Sequence, residues 1–247
     1  MTLRMTLPSW SRRLLVVATT LITSHVAAQQ PAAPSPLVPS FVPAGQSLKY
    51  EADVQKFLEA DRTTPPPTDG ILFIGSSIFR QWEQLSEQMA PLPVFNRAFG
   101  GSRTWELLHY VDQIVIPYRP RFVVYYCGSN DVNSKQDASG IATRVAAFFD
   151  RVHAALPKTQ IFFVTIQRSP DKRARWAVVD SANALVAQYV VRHSFAHSID
   201  LNPVLVDATG NVRGALYKPD SLHFVPSTYN EFAAVIKPVL ERAWAKR

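Results

Sequence analysis

The stretch ILFIGSSIF, residues 71–79, runs four apolar residues into a glycine and two adjacent serines before apolar residues resume. A short continuous apolar run closed by a turn residue is the pattern of a buried strand. Its end is the unusual part, because two hydroxyls follow where the strand leaves the core. Similar runs recur at 94–99, 122–126, 161–166 and, less regularly, 196–201, with longer helical patterns between them. Strands alternating with helices of that length predict right-handed βαβ crossovers and a parallel sheet of about five strands covered by helices on both faces.

The helical patterns carry their own apolar stripes. In SLKYEADVQKFLEADR, residues 47–62, Tyr50, Val54, Phe57 and Leu58 share one face. Across 171–193, Trp176, Val179, Val186 and Val190 do the same, and near the C-terminus Phe232, Val235, Ile236, Val239 and Leu240 repeat the spacing. Pro238 falls inside that last pattern. A proline there removes one backbone hydrogen bond and crowds the preceding turn, so a kink or an early break is expected.

The chain has 247 residues, 47% hydrophobic and 18% charged, enough to bury the core of an enzyme-sized domain. Residues 1–28 place Arg4, Arg12 and Arg13 before an apolar run ending in Ala27 and Ala28, the layout of a cleavable secretory signal peptide. Twin-arginine export is a further option for SRRLL. Cleavage takes the Lys+Arg count from 26 to 23 against 19 acids, so the net charge falls from +7 to +4. No basic run interleaved with aromatics remains, which argues against a nucleic-acid partner. The apolar run is too short and too interrupted for a span, so no stable membrane anchor is expected after cleavage, and the expected location is secreted or periplasmic. Residues 29–45, with five prolines and no charge, read as an extended linker ahead of a folded domain at 46–247. The one cysteine, Cys127, lies in an apolar run and reads as a core thiol.

In an open parallel sheet, ligands bind outside the carboxyl ends of the strands. Three successive ends finish GSSI (75–78), AFGGSRTW (98–105) and YYCGSNDV (125–132). Each offers small residues that expose backbone N–H groups, or short polar side chains. Acyl transfer needs a hydroxyl nucleophile, a base and donors for an oxyanion. Near the C-terminus KPDSLHFVP (218–226) sets Asp220 three residues before His223, a carboxylate placed to orient an imidazole.

Taken in order, FIGSSI, NRAFGGS, GSND and DSLH resemble the blocks of the SGNH (GDSL-type) hydrolases, over most of the chain from about Leu48 to Leu240. The resemblance implies a flavodoxin-like three-layer α/β/α sandwich and a serine esterase without cofactor or metal. It implies Ser77 as nucleophile, His223 as general base oriented by Asp220, and an oxyanion hole from the N–H groups of Ser77 and Gly101 and the amide of Asn130. Ser76 and Ser102 stand where that family often has aspartates, which leaves open which of the paired serines attacks. Short-chain or acetyl esters, with a small-molecule, carbohydrate or lipid alcohol, are the expected substrates. An acyltransferase using the same triad and a non-catalytic module binding envelope glycan are the alternatives.

Plainer readings exist for each motif. Paired serines after a strand are ordinary helix caps, Asn130 with Asp131 an ordinary turn, and Gly100 with Gly101 a tight turn. Asp207 or Asp200 could orient the histidine in place of Asp220. His109 and His153 fall in helical patterns, His193 and His197 lack a third ligand for a metal, and SPDK (169–172) has no K-T-G partner. Arg103, Trp105, Arg168, Trp176 and Tyr217 fall near strand ends or the 218–226 loop, with no role assigned.

Overall fold

The computed structural model describes residues 41–246. Five strands form one all-parallel sheet in the order β2-β1-β3-β4-β5. They are β1 (Ile71–Gly75), β2 (Val94–Asn96), β3 (Phe122–Tyr126), β4 (Gln160–Val164) and β5 (Ala196–Ile199). The helices are α1 (Glu51–Thr63), α2 (Ser77–Arg80), α3 (Leu85–Met89), α4 (Thr104–Ile114), α5 (Ser129–Asn133), α6 (Ala138–Ala155), α7 (Trp176–Val191) and α8 (Thr228–Trp244). The order is that of a flavodoxin-like three-layer α/β/α sandwich, with its topological switch point between β1 and β3.

Alternation along the strands builds two cores. Leu72, Ile74, Val123, Tyr125, Ile161 and Phe163 face α1, α4, α6 and α7. Ile71, Phe73, Phe122, Val124, Phe162 and Val164 face α2, α3 and α8. Both faces are covered, which is why these strands read as continuous apolar runs. A slip of one residue would exchange the two sets, and at about 1.5–3 kcal/mol for each large buried side chain the packing fixes the register.

Several elements differ from the sequence pattern for local reasons. β2 stops at Asn96 instead of Phe99 because the Asn96 side chain accepts from Ala98 N–H at 2.9 Å and donates to Phe79 O at 2.7 Å, turning the chain. β4 stops at Val164, since Asn183 takes over both backbone groups of Ile166 at 2.9 Å. The helix expected over 171–193 begins as a distorted 3-10 segment, Pro170–Arg175, and becomes α-helical at Trp176. On that helix Val179 and Val186 are buried, whereas Trp176 is half-exposed beneath the guanidinium groups of Arg168 and Arg173.

Pro238 does not break α8, which runs on to Trp244. Pro238 and Ala234, whose carbonyl loses its partner, both lie on the exposed face, where water can satisfy that oxygen. Phe41, inside the stretch read as linker, packs against the first of the two cores, so the packed body includes it. The signal peptide over 1–28 and most of the linker lie outside the described residues. Among the described residues, no helix is long and apolar enough to cross a membrane.

Candidate active site

Gly75 decides how β1 ends. It has φ +157°, and a Cβ there would lie 2.0 Å from the Tyr126 carbonyl oxygen, so only glycine lets the ends of β1 and β3 approach this closely. Ser76 N–H continues the pairing to Tyr126 O at 3.2 Å, and the chain then turns into α2, with Phe79 and Arg80 N–H donating to Ser76 O. Ser77 is thereby the first residue of a helix at the switch point. Its hydroxyl points outward to His223, whereas the Ser76 hydroxyl is buried and makes no hydrogen bond among the described residues.

His223 arrives from the loop before α8. Its Nε2 lies 2.9 Å from Ser77 Oγ, and its Nδ1 lies 2.6 Å from Asp220 Oδ2. A carboxylate only accepts, so Nδ1 carries the hydrogen and the neutral ring presents a lone pair at Nε2 to the serine hydroxyl. The other oxygen, Asp220 Oδ1, accepts from Leu222 N–H at 3.0 Å and His223 N–H at 2.9 Å. These contacts, the His223 side chain first, hold the Asp220 carboxyl down to about 2. Asp207 and Asp200 have other partners: Asp207 accepts from Thr209 and Asn211, and Asp200 from Thr165 and Asn202.

The loop is braced from several sides. Lys218 N–H donates to His223 O at 2.7 Å, and Lys218 Nζ donates to Gln81 Oε1 at 2.7 Å, which ties the histidine loop to the end of α2. Ser221, at φ +58°, offers its carbonyl to Asp171 N–H at 3.2 Å. Behind that contact Lys172, 2% exposed, pairs with Asp171 at 2.9 Å, and Ser169 Oγ donates to the same carboxylate. Burial lowers the Lys172 ammonium from its usual range. The S-x-x-K residues thus form a support under the loop.

The glycine block closes the site from the β2 side. Gly101 has φ +81°, and a Cβ there would meet the Tyr50 hydroxyl at 2.5 Å. Ser102 Oγ donates to Gly75 O at 3.1 Å, while Ser102 O accepts from Asn130 Nδ2 at 3.0 Å and from the Cys127 thiol at 3.4 Å. One hydrogen of the Asn130 amide is committed, which orients the other. The backbone N–H groups of Ser77 and Gly101 donate to none of the described residues. Cys127 is fully buried, and burial pushes its thiol well up.

Two buried acids support this block, and neither had a role from sequence. Asp131 accepts from the backbone N–H of Thr104 at 3.0 Å, from its hydroxyl and from Arg144 at 3.3 Å, pinning the start of α4. Glu106 Oε2 accepts from Arg103 N–H at 2.8 Å, while the buried Oε1 lies 3.8 Å from the Arg103 guanidinium and accepts no hydrogen bond among the described residues. Burial lifts the Glu106 carboxyl to about 7.

Ser77, Gly101, Asn130 and His223 line one cavity of about 400 Å³, together with Asp53, Arg80, Gln81, Gly100 and Leu222. Asp53, Arg80 and Gln81 belong to none of the motif blocks and carried no signal in the sequence. Of the residues flagged without a role, none lines it: Trp105 is buried, Arg103 donates to Ser134, Arg168 pairs with Asp180, and Tyr217 packs on Phe224. His193 and His197 are engaged with Tyr189 O and Gln160. A larger cleft of about 1640 Å³, lined by Arg119, Gln160, His197 and Trp244 among others, lies at the amino ends of the strands and includes none of Ser77, Gly101, Asn130 and His223.

The family model for the GDSL-like Lipase/Acylhydrolase family matches residues 73–230. Among solved structures, a GDSL-like lipase from Bacteroides thetaiotaomicron is 18% identical with TM-score 0.66, covering 78% of this chain and 98% of that one. A lipase/acylhydrolase from Enterococcus faecalis is 15% identical with TM-score 0.61, covering 71% and 97%. A carbohydrate esterase family 3 protein from Talaromyces cellulolyticus is 15% identical with TM-score 0.57, covering 70% and 97%. No curated protein matches by sequence.

Proposed function

Because the chain belongs to the GDSL-like lipase/acylhydrolase family and is an ester-bond hydrolase, we propose that it cleaves short-chain or acetyl esters through an acyl-enzyme on Ser77. The observation that carries the reading is the continuous chain from Ser77 Oγ through His223 to Asp220, at 2.9 and 2.6 Å.

In the first half-reaction Ser77 Oγ attacks the ester carbonyl carbon as His223 Nε2 takes its proton. The carbonyl oxygen becomes an oxyanion facing the Ser77 and Gly101 N–H groups and the uncommitted hydrogen of Asn130. Asp220, ionised, stabilises the imidazolium. Collapse expels the alcohol, which receives the proton from Nε2. Water then repeats the sequence on the acyl-serine: His223 takes a water proton, the carboxylic acid leaves, and the proton returns to Ser77 Oγ. Preorganised donors aimed at the oxyanion supply the largest share of such catalysis.

Short acyl groups are favoured by the cavity, which holds about 400 Å³ and in which Leu222 is the only large apolar side chain among the described residues. A long acyl chain would have no apolar wall to cover it. The segment over 1–28 directs the protein out of the cytoplasm in this reading, and N-terminal sequencing of the exported protein would then begin at Gln29. The test of the enzymatic reading is Ser77→Ala: hydrolysis of acetyl esters is expected to vanish while the thermal transition stays cooperative. Retained turnover in that variant would overturn it.

A further inference from the structure

The triad explains how an ester is cut and leaves unexplained why charged groups of opposite sign stand beside it. Asp53 and Arg80 both line the cavity that holds Ser77 and His223. Among the described residues neither side chain makes an ion pair or a hydrogen bond, so they do not neutralise each other. Their placement is built into the oxyanion loop. At Gly100 a Cβ would lie 2.6 Å from Arg80 Nε, so the guanidinium rests against the glycine backbone. At Gly101 the neighbour is the Tyr50 hydroxyl, and Asp53 lies three residues further on, on the same face of α1. Helix α1 precedes the family-matched segment, which begins at residue 73. One wall of the site therefore comes from outside the family-matched segment.

We propose that Asp53 and Arg80 determine specificity by gripping hydroxyl groups on the alcohol part of the ester, so that the preferred substrate is a short acyl ester of a neutral, sugar-like polyol. A polyol offers several hydroxyls, of which one can donate to the Asp53 carboxylate and another accept from the Arg80 guanidinium. An anionic alcohol would meet Asp53, and a cationic one Arg80. An apolar alcohol would find only Leu222 and would leave both charges without partners. The inference rests on the serine esterase reading and adds the identity of the leaving group to it.

The experiment compares two esters with the same acyl group and a ring of similar size: a mono-O-acetylated methyl xyloside and cyclohexyl acetate. In the exported protein, the ratio of kcat/KM for the sugar ester over cyclohexyl acetate is expected to exceed one. Asp53→Asn and Arg80→Gln are each expected to lower that ratio by about 10-fold to 100-fold, mainly through KM, the range for losing a hydrogen bond to a charged group. An equal loss on both esters, or no change in the ratio, overturns the inference. So does wild-type turnover of cyclohexyl acetate without the sugar ester, and in each of these cases the serine esterase reading stands. Absence of turnover on both, with Ser77 unreactive, removes that reading and the inference together.

Discussion

Ser77 Oγ and His223 Nε2 are 2.9 Å apart although 146 residues separate them in the chain. The sheet order brings them together: β1 delivers Ser77 to the switch point, and the chain returns from β5 to the same end before entering α8. Lys218, bonded to Gln81, closes the distance between the two segments.

Asp220→Asn separates tautomer control from loop bracing. The asparagine oxygen can still accept from Leu222 and His223 N–H, but its NH₂ would face Nδ1 and favour the ring with hydrogen on Nε2. That tautomer cannot take the Ser77 proton. The expected loss in kcat is about 10²- to 10⁴-fold with KM little altered. Steady-state kinetics on an acetyl ester checks it, and a loss confined to KM would assign Asp220 to binding.

Ionisation of Asp220 should not appear in the activity profile above pH 4, because its carboxyl is held down to about 2. The loop stability it contributes is present above the ordinary aspartate range and is lost as pH falls through about 2. The acid limb of kcat/KM is therefore expected to follow a single ionisation. A second-order dependence on proton concentration between pH 4 and 6 would contradict that assignment.

Asn130→Ala removes the amide proposed as an oxyanion donor and also the bond to Ser102 O. The expected cost is about 10²- to 10³-fold in kcat. A concurrent fall in KM-independent binding of a transition-state analogue would support the donor role, whereas unchanged analogue affinity would limit Asn130 to holding the loop.

Glu106 gives a stability signature with a definite sign. Its carboxyl is lifted to about 7 by burial, so the folded state holds a proton that the unfolded chain has released above about 4.5. The stability it contributes is full below that range and is lost as pH rises through 7. Glu106→Gln keeps an acceptor for Arg103 N–H without the charge. Its thermal midpoint should exceed the wild type at pH 8, with the difference shrinking towards pH 5. An unchanged difference across that range would show that Glu106 does not titrate there.

The strand pattern and the four motif blocks were legible because each rests on chemistry local to a few residues. β3 begins and ends as its apolar run does. The choice of Ser77 over Ser76 rested on the family resemblance alone; the turn at Gly75 supplies the physical reason, since it aims the Ser77 hydroxyl at His223 and buries that of Ser76. The ends of β2 and β4 were overread because Ala98, Phe99 and Ile166 are apolar, while Asn96 turns the chain by accepting from Ala98 N–H two residues on, and Asn183 takes over the backbone groups of Ile166 from α7. Asp53 and Arg80 were invisible for the opposite reason. An amphipathic stripe reports which face of a helix is buried and says nothing about what the exposed face overlooks.

The central claim is that Ser77 becomes covalently acylated, and trapping tests it most directly. After incubation with a fluorophosphonate, peptide mapping by mass spectrometry is expected to find one adduct, on Ser77, at a rate that collapses in His223→Ala. Turnover of acetyl esters by a protein whose Ser77 stays unmodified, or an adduct on any other residue, would contradict the account.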